Sequence, residues 1–196
     1  MYPYLRMALH MRAARRAGPL PLTGTHVSHH LITPFDIDPW MELNNGRTLT
    51  LFDLGRVGMG IRIGLPQVMK RNGWGLTVAG NTTRYRKRVT IGTRLVMRTR
   101  CIGSDERFLY VEQSMWRGTD CTSHMLLRSA VVENRRMIPP ARLLDALDAP
   151  RPDLPGWVRA WSDADAMRPW PPEPGPPEIF PCETSPIDAS SGRKRG

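Results

Sequence analysis

"DIDPWMELNNGR", residues 36–47, is the stretch on which the reading of this chain turns. Two carboxylates stand two apart, a proline and a tryptophan follow, and Glu42, Asn44, Asn45 and Gly46 lead into an apolar run. Upstream, "THVSHHLITPF" alternates and is rich in β-branched residues, which predicts a strand. Downstream, from Arg47 to Ile63, Leu51, Phe52, Leu54, Val57, Met59, Ile61 and Ile63 cover most of a helical circumference. Such a helix is expected to be buried on nearly all sides. Gly55, Gly58 and Gly60 each cost it roughly 1 kcal/mol of propensity relative to alanine. Close packing against a sheet would offset that loss. Gly64, Pro66 and Gly73 mark the helix end and a following loop.

Four strand-like runs come next: "WGLTVAGNTTRYRKRV", "TRLVMRTRCI", "RFLYVEQSMWR" and "CTSHMLLRSAVV". The turn signals between them are Ile91-Gly92, Gly103-Ser104-Asp105 and Gly118-Thr119-Asp120. Short connections without helices imply an antiparallel meander. Alternation puts Leu95, Met97 and Thr99 on one face of the second run, with Arg94, Val96, Arg98 and Arg100 on the other. The expected fold is α+β, with five antiparallel strands wrapped around one long buried helix.

The chain of 196 residues suits one domain with extensions. Residues 1–24 form a basic extension, 25–132 the folded domain, 133–170 a C-terminal extension packing on it, and 171–196 a Pro-rich tail with little order. The first of these, "MYPYLRMALHMRAARRAGPLPLTG", is interrupted by Arg6 too early for a secretory signal. Residues 1–17 read either as a short docked helix or as a basic amphipathic helix making peripheral membrane contact. A short helix is expected from Ala141 to Leu147. Eleven prolines fall after Ala149, too many for a regular core. Trp157, Trp161 and Trp170 suggest that part of this segment packs on the domain.

Net charge is +10, carried by arginine apart from Lys70, Lys87 and Lys194. The balance favours an anionic partner: nucleic acid, an acidic membrane or a phosphate-rich small molecule. Nucleic acid is disfavoured, because no aromatic stacking signature, helix-turn-helix or zinc pattern appears. No apolar run approaches the roughly 20 residues of a membrane span. Cys101, Cys121 and Cys182 show no metal-like spacing, so neither a disulfide framework nor a metal centre is expected, and a reducing, cytoplasmic setting is. His29 and His30 would point to opposite faces of a strand and so cannot share an ion.

The order of elements, with Asp-x-Asp-Pro ahead of the helix, resembles the hotdog-fold acyl-CoA thioesterases, in the branch related to 4-hydroxybenzoyl-CoA thioesterase. That branch reads approximately Asp-x-Asp-x-x-Gly-His-x-Asn-Asn. Here the pattern runs from Asp36 to Asn45 without a gap, but Met41 stands at the glycine and Glu42 at the histidine. The likeness covers about His26 to Val132. "NNGRTLTLFDLGR" and "FLYVEQSMWRG" further resemble bacterial thioesterase-like proteins near thioesterase superfamily member 6.

The resemblance implies acyl-CoA hydrolysis with no cofactor beyond the coenzyme A thioester itself, in a homodimer or dimer of dimers. Asp38 would be the base or nucleophile, and the Asn45 backbone N–H would polarise the carbonyl. Asn44 and Gly46 would admit the substrate, with Asp36 and Glu42 in support. Free amides at a helix start suit a developing oxyanion. Asp36 would share a face with Asp38 if the strand persisted, each raising the other's pKa. Asp and Asn ahead of a helix are equally at home as caps. Arg84, Arg86 and Arg88 would share a strand face that could receive the coenzyme A phosphates, or simply be solvated. The alternative function is a non-catalytic acyl-CoA-binding or membrane-associated protein of the same fold.

Overall fold

The computed structural model describes residues 2–175. The expectation for residues 176–196 therefore lies outside the described residues. A first helix, α1 (Tyr4–Arg16), precedes strand β1 (His26–Leu31), and a 3-10 turn at Pro34–Asp36 leads to the loop before α2 (Asn45–Arg62). Then come α3 (Leu65–Asn72), β2 (Trp74–Tyr85), β3 (Arg94–Ser104), β4 (Leu109–Arg117), β5 (Asp120–Glu133) and the short β6 (Arg136–Ile138). Helix α4 (Pro140–Ala146) and α5 (Gly156–Ala166) close the described chain.

The sheet is antiparallel with order β1-β3-β4-β5-β2. It has six strands rather than five, because β6 folds back on the end of β5, pairing Val131 with Ile138. The predicted alternation holds in β3, where Leu95, Met97 and Thr99 are buried and Arg94, Arg98 and Arg100 are exposed. In β1, His26, Ser28 and His30 are buried, while His29 is exposed.

Helix α2 lies against the buried face of the sheet. Leu51, Phe52 and Leu54 join Leu95, Met97, Met115, Met125 and Leu127 in one apolar cluster. Burial of each such side chain is worth roughly 1.5–3 kcal/mol. The glycines explain how close the helix comes. A Cβ on Gly58 would stand 2.5 Å from His26 Nε2, and one on Gly55 would run into Met97 Sδ. The other side of α2 is covered by α1. Tyr2 reaches Asp53, His10 stacks on His30 with ring centroids 4.5 Å apart, and Ala14 is buried.

Three local expectations are corrected. The loop after α2 is instead helix α3, flanked by Gly64 and Gly73 at φ +76° and +68°. Left-handed glycines there stop one helix and cap the next, and from sequence the same residues look like loop punctuation. Gly103 lies inside β3 at a bulge, packed against Leu154, and the turn falls at 105–108, where Asp105 accepts from the Arg107 and Phe108 N–H groups. Strand β2 ends at Tyr85, because the Arg86 and Lys87 N–H groups both donate to the Thr122 carbonyl and break the ladder.

A division of the chain falls after Arg159. Before it, Leu143, Leu144, Leu154 and Val158 are buried, whereas Trp157 is half-exposed. After it, the described residues hold the rest of α5 and irregular chain in which Trp170 is exposed.

Candidate functional site

The loop ahead of α2 is a small ladder. Asp36 O accepts the Asn44 N–H at 2.9 Å, Ile37 bridges Leu43, and the Asp38 N–H donates to Glu42 O at 2.8 Å. Asp38 and Asn44 therefore sit on facing arms of one tight loop, two residues apart along it. Within that loop Asp38 Oδ1 accepts the N–H groups of Trp40 at 2.9 Å and Glu42 at 3.2 Å. Its second oxygen meets no donor among the described residues.

Asn44 is the N-cap of α2. Its side-chain oxygen accepts from Gly46 N–H at 2.9 Å and Arg47 N–H at 3.2 Å. Asn45 begins the helix, and its N–H is the first amide that this cap leaves free. Asn45 and Gly46 are exposed, so the approach is open.

The remaining residues of the sequence motif divide. Asp36 is 5% exposed and lies in the 3-10 turn rather than on a strand, so it does not share a strand face with Asp38. Its carboxylate accepts from Thr33 N–H, Thr33 Oγ1 and Arg6 Nη1. That makes it an anchor between α1 and the loop. Glu42 pairs with Arg88 at 2.6 Å. Of the basic run, Arg84 is exposed near the end of β2, while Arg86 and Arg88 follow the strand end. The three do not form a strand-face stripe.

A cavity of about 370 Å³ opens between α2, the sheet and α4. Its lining is apolar, including Met59, Ile61, Leu76, Val78, Leu109 and Leu143. Among the described residues, Asp53 and Arg56 are the only charged ones that line it, and Asp38 does not. Asp53 Oδ2 accepts from the Tyr2 hydroxyl at 2.5 Å, and Oδ1 accepts from Arg56 Nη2 at 3.0 Å. Arg56 also donates to Gln113 Oε1 at 2.7 Å. Gln113 is fully buried and donates from Nε2 to Phe52 O and Thr99 Oγ1. The charged pair is thus held by a polar chain rooted in the core. Burial, reinforced by the hydrogen bond to Asp53, pushes the Tyr2 hydroxyl up to about 12, so it stays a donor at neutral pH. Burial lowers Arg56 from its ordinary value despite its partner Asp53. Cys101 also lines the cavity, but burial raises its thiol, which makes it a poor nucleophile.

Asp53, Arg56, Gln113 and Tyr2 were not singled out from sequence. An acid and a base three apart in a helix read as an ordinary surface pair. Only tertiary structure brings Tyr2 and Gln113 to them.

A model of the thioesterase-like superfamily matches residues 32–161. Protein THEM6 of Danio rerio is 30% identical over 142 residues, which is 68% of either chain. The solved structure of YbaW, a probable thioesterase from Escherichia coli, has a TM-score of 0.57 at 12% identity, over 62% of this chain and 96% of that one. A 1,4-dihydroxy-2-naphthoyl-CoA thioesterase from Synechocystis has a TM-score of 0.55 at 12% identity, over 65% of this chain and 100% of that one. At such identities the two structures speak for the fold alone. With the family match spanning most of the domain and the sheet wrapped on α2, the chain belongs to the thioesterase-like superfamily and has its hotdog fold.

Proposed function

We propose that the protein hydrolyses acyl-CoA thioesters to the free acid and coenzyme A, acting as a homodimer. The observation that carries this reading is the helix start, where Asn44 caps Gly46 and Arg47 and, among the described residues, leaves the Asn45 N–H unengaged on the same small ladder as Asp38. Asp38 takes a proton from water, whose oxygen adds to the thioester carbonyl. The Asn45 N–H, at the positive end of α2, holds the oxyanion. Collapse then breaks the C–S bond and releases the coenzyme A thiolate, which takes up a proton. Alternatively, Asp38 attacks the carbonyl itself and water cleaves the resulting anhydride. The apolar cavity beside α2 takes the acyl group, and exposed Arg84 and Arg86 attract the phosphates. Arg88 remains tied to Glu42, which steadies the loop.

A specific observation favours a second assignment within the same reaction. Asp53, unlike Asp38, lines the apolar cavity. An acyl group entering it would bring its carbonyl near Asp53 if the chain were short.

A thiol-release assay with Asp38→Asn and Asp53→Asn separates the two. Loss of the base should lower kcat by on the order of 10²–10⁴-fold, with KM changing less. Under the main reading this falls on Asp38→Asn, and Asp53→Asn is mild. The opposite pattern would transfer the role to Asp53. Wild-type protein that binds acyl-CoA but releases no thiol would support the non-catalytic alternative.

A further inference from the structure

We propose that α1 and the loop before α2 together form a docking surface for an anionic lipid bilayer, a role independent of hydrolysis. The first 35 residues contain no Asp or Glu but carry Arg6, Arg12, Arg15 and Arg16. Helix α1 is used on one side only. Arg6, His10 and Ala14, spaced four apart, face the domain, and Tyr2 just ahead of the helix helps to hold it there. The opposite side presents Tyr4, Leu5 and Leu9 at 68%, 79% and 60% exposure, with Arg12, Arg15 and Arg16 also exposed.

A second set of exposed apolar side chains lies on the segment to which α1 is clamped. Arg6 donates to both oxygens of Asp36 and to the Leu31 carbonyl. This clamp places the start of α1 beside the segment that carries Leu31 and Phe35, the latter 83% exposed. The chain continues directly into the Ile37–Leu43 loop, whose tip exposes Trp40 and Met41 at 74% and 62%. Single exposed apolar residues need no explanation, but seven on two segments tied by one clamp do. Tyr, Trp and Phe beside arginine is the composition of the bilayer interface.

Helix α1 has 13 residues, so it is about 20 Å long, short of the roughly 30 Å hydrocarbon core. Among the described residues, no helix is long and apolar enough to cross a membrane. The helix therefore lies in the interface plane. A second copy of this chain is a poorer occupant, because it would bring together two faces that each carry Arg12, Arg15 and Arg16 and no carboxylate.

Flotation of the full chain with vesicles tests this, using phosphatidylcholine alone and phosphatidylcholine mixed with phosphatidylserine. Binding is expected on the mixed vesicles, weaker on the neutral ones, and declining as salt is raised. Leu5→Glu with Leu9→Glu, and separately Trp40→Ser, should each lower the partition coefficient about tenfold or more. All three positions are exposed, so the fold should survive, as circular dichroism would confirm. Equal binding to both vesicle types, or none to the mixed ones, overturns the proposal. So does full retention of binding by Trp40→Ser, which would remove the loop from the surface. Light scattering without lipid gives the last check. A change of mass in the Leu5→Glu, Leu9→Glu variant would identify the face as a contact between copies and overturn the lipid assignment.

Discussion

At φ +62°, Met41 holds a left-handed backbone that glycine adopts freely and a side chain with a Cβ does not. Its neighbours enforce it. Asp38 Oδ1 grips the N–H groups on either side, at Trp40 and Glu42, and the Met41 N–H itself donates to the Asp38 carbonyl at 3.0 Å. The related pattern carries glycine at this position, and the backbone supplies the physical reason. Met41 is 62% exposed, so replacing it loses little packing. Met41→Gly should therefore stabilise the protein by about 1 kcal/mol, net of the extra freedom glycine gives the unfolded chain. A urea midpoint that stays put or falls would show that the loop holds no such strain. The motif was legible at this scale because Asp-x-Asp-Pro and Asn-Asn have fixed spacing. What could not be read was where each carboxylate points. Asp38 turns into its own loop, Asp36 is consumed by Arg6 and Thr33, and Asp53, silent in the sequence, lines the cavity.

Between elements, the contact of α1 with β1 buries histidines. Burial, with Arg62 and then His10 adding repulsion, lowers His26 to about 4. Burial, with His10, Arg6, His29 and His26 adding to it, lowers His30 to about 3. His30 has one ring nitrogen on Ser28 Oγ at 2.9 Å and the other without a partner among the described residues. His10, stacked on it, is lowered too, chiefly by burial. The unfolded chain takes up protons near 6.5 that the folded rings refuse. Stability is thus complete above about pH 6.5 and falls as the pH drops toward 4, by on the order of 3 kcal/mol for each of His26 and His30, with His10 acting in the same direction. Unfolding free energies measured at pH 7.5 and 4.5 should differ accordingly, and His30→Gln should reduce the difference. A flat profile would mean the rings are solvated. None of this was visible in "THVSHHL". The period of two placed His29 and His30 on opposite faces, but it did not say which of them turns inward, nor that α1 would return to cover it. Helix α3 escaped for a similar reason, since Gly64 and Gly73 serve equally as loop signals and as caps.

For the whole molecule, the feature that demands a partner is β2. It is the last strand in the sheet order, 12 residues long, and among the described residues only β5 pairs with it. Its far edge offers a row of free amides and carbonyls, and Leu76 and Val78 are 43% and 51% exposed. An edge so long and apolar is an aggregation hazard unless it is covered. Leu76, Thr77 and Val78 also line the apolar cavity, so its wall is incomplete where the sheet stops. Antiparallel pairing of β2 with its own copy about a two-fold axis would satisfy both needs at once. It would extend the hydrogen-bonded sheet through both chains and close two acyl cavities with side chains from the opposite subunit. Light scattering at micromolar concentration should then give twice the chain mass. Val78→Lys, which puts a charge into that half-exposed apolar edge, should yield monomers whose circular dichroism remains native. The same variant should lose acyl-CoA hydrolysis far more than Val78→Ala does, because its cavity would stand open to water. A wild-type protein that stays monomeric and active would show instead that one chain builds the whole site.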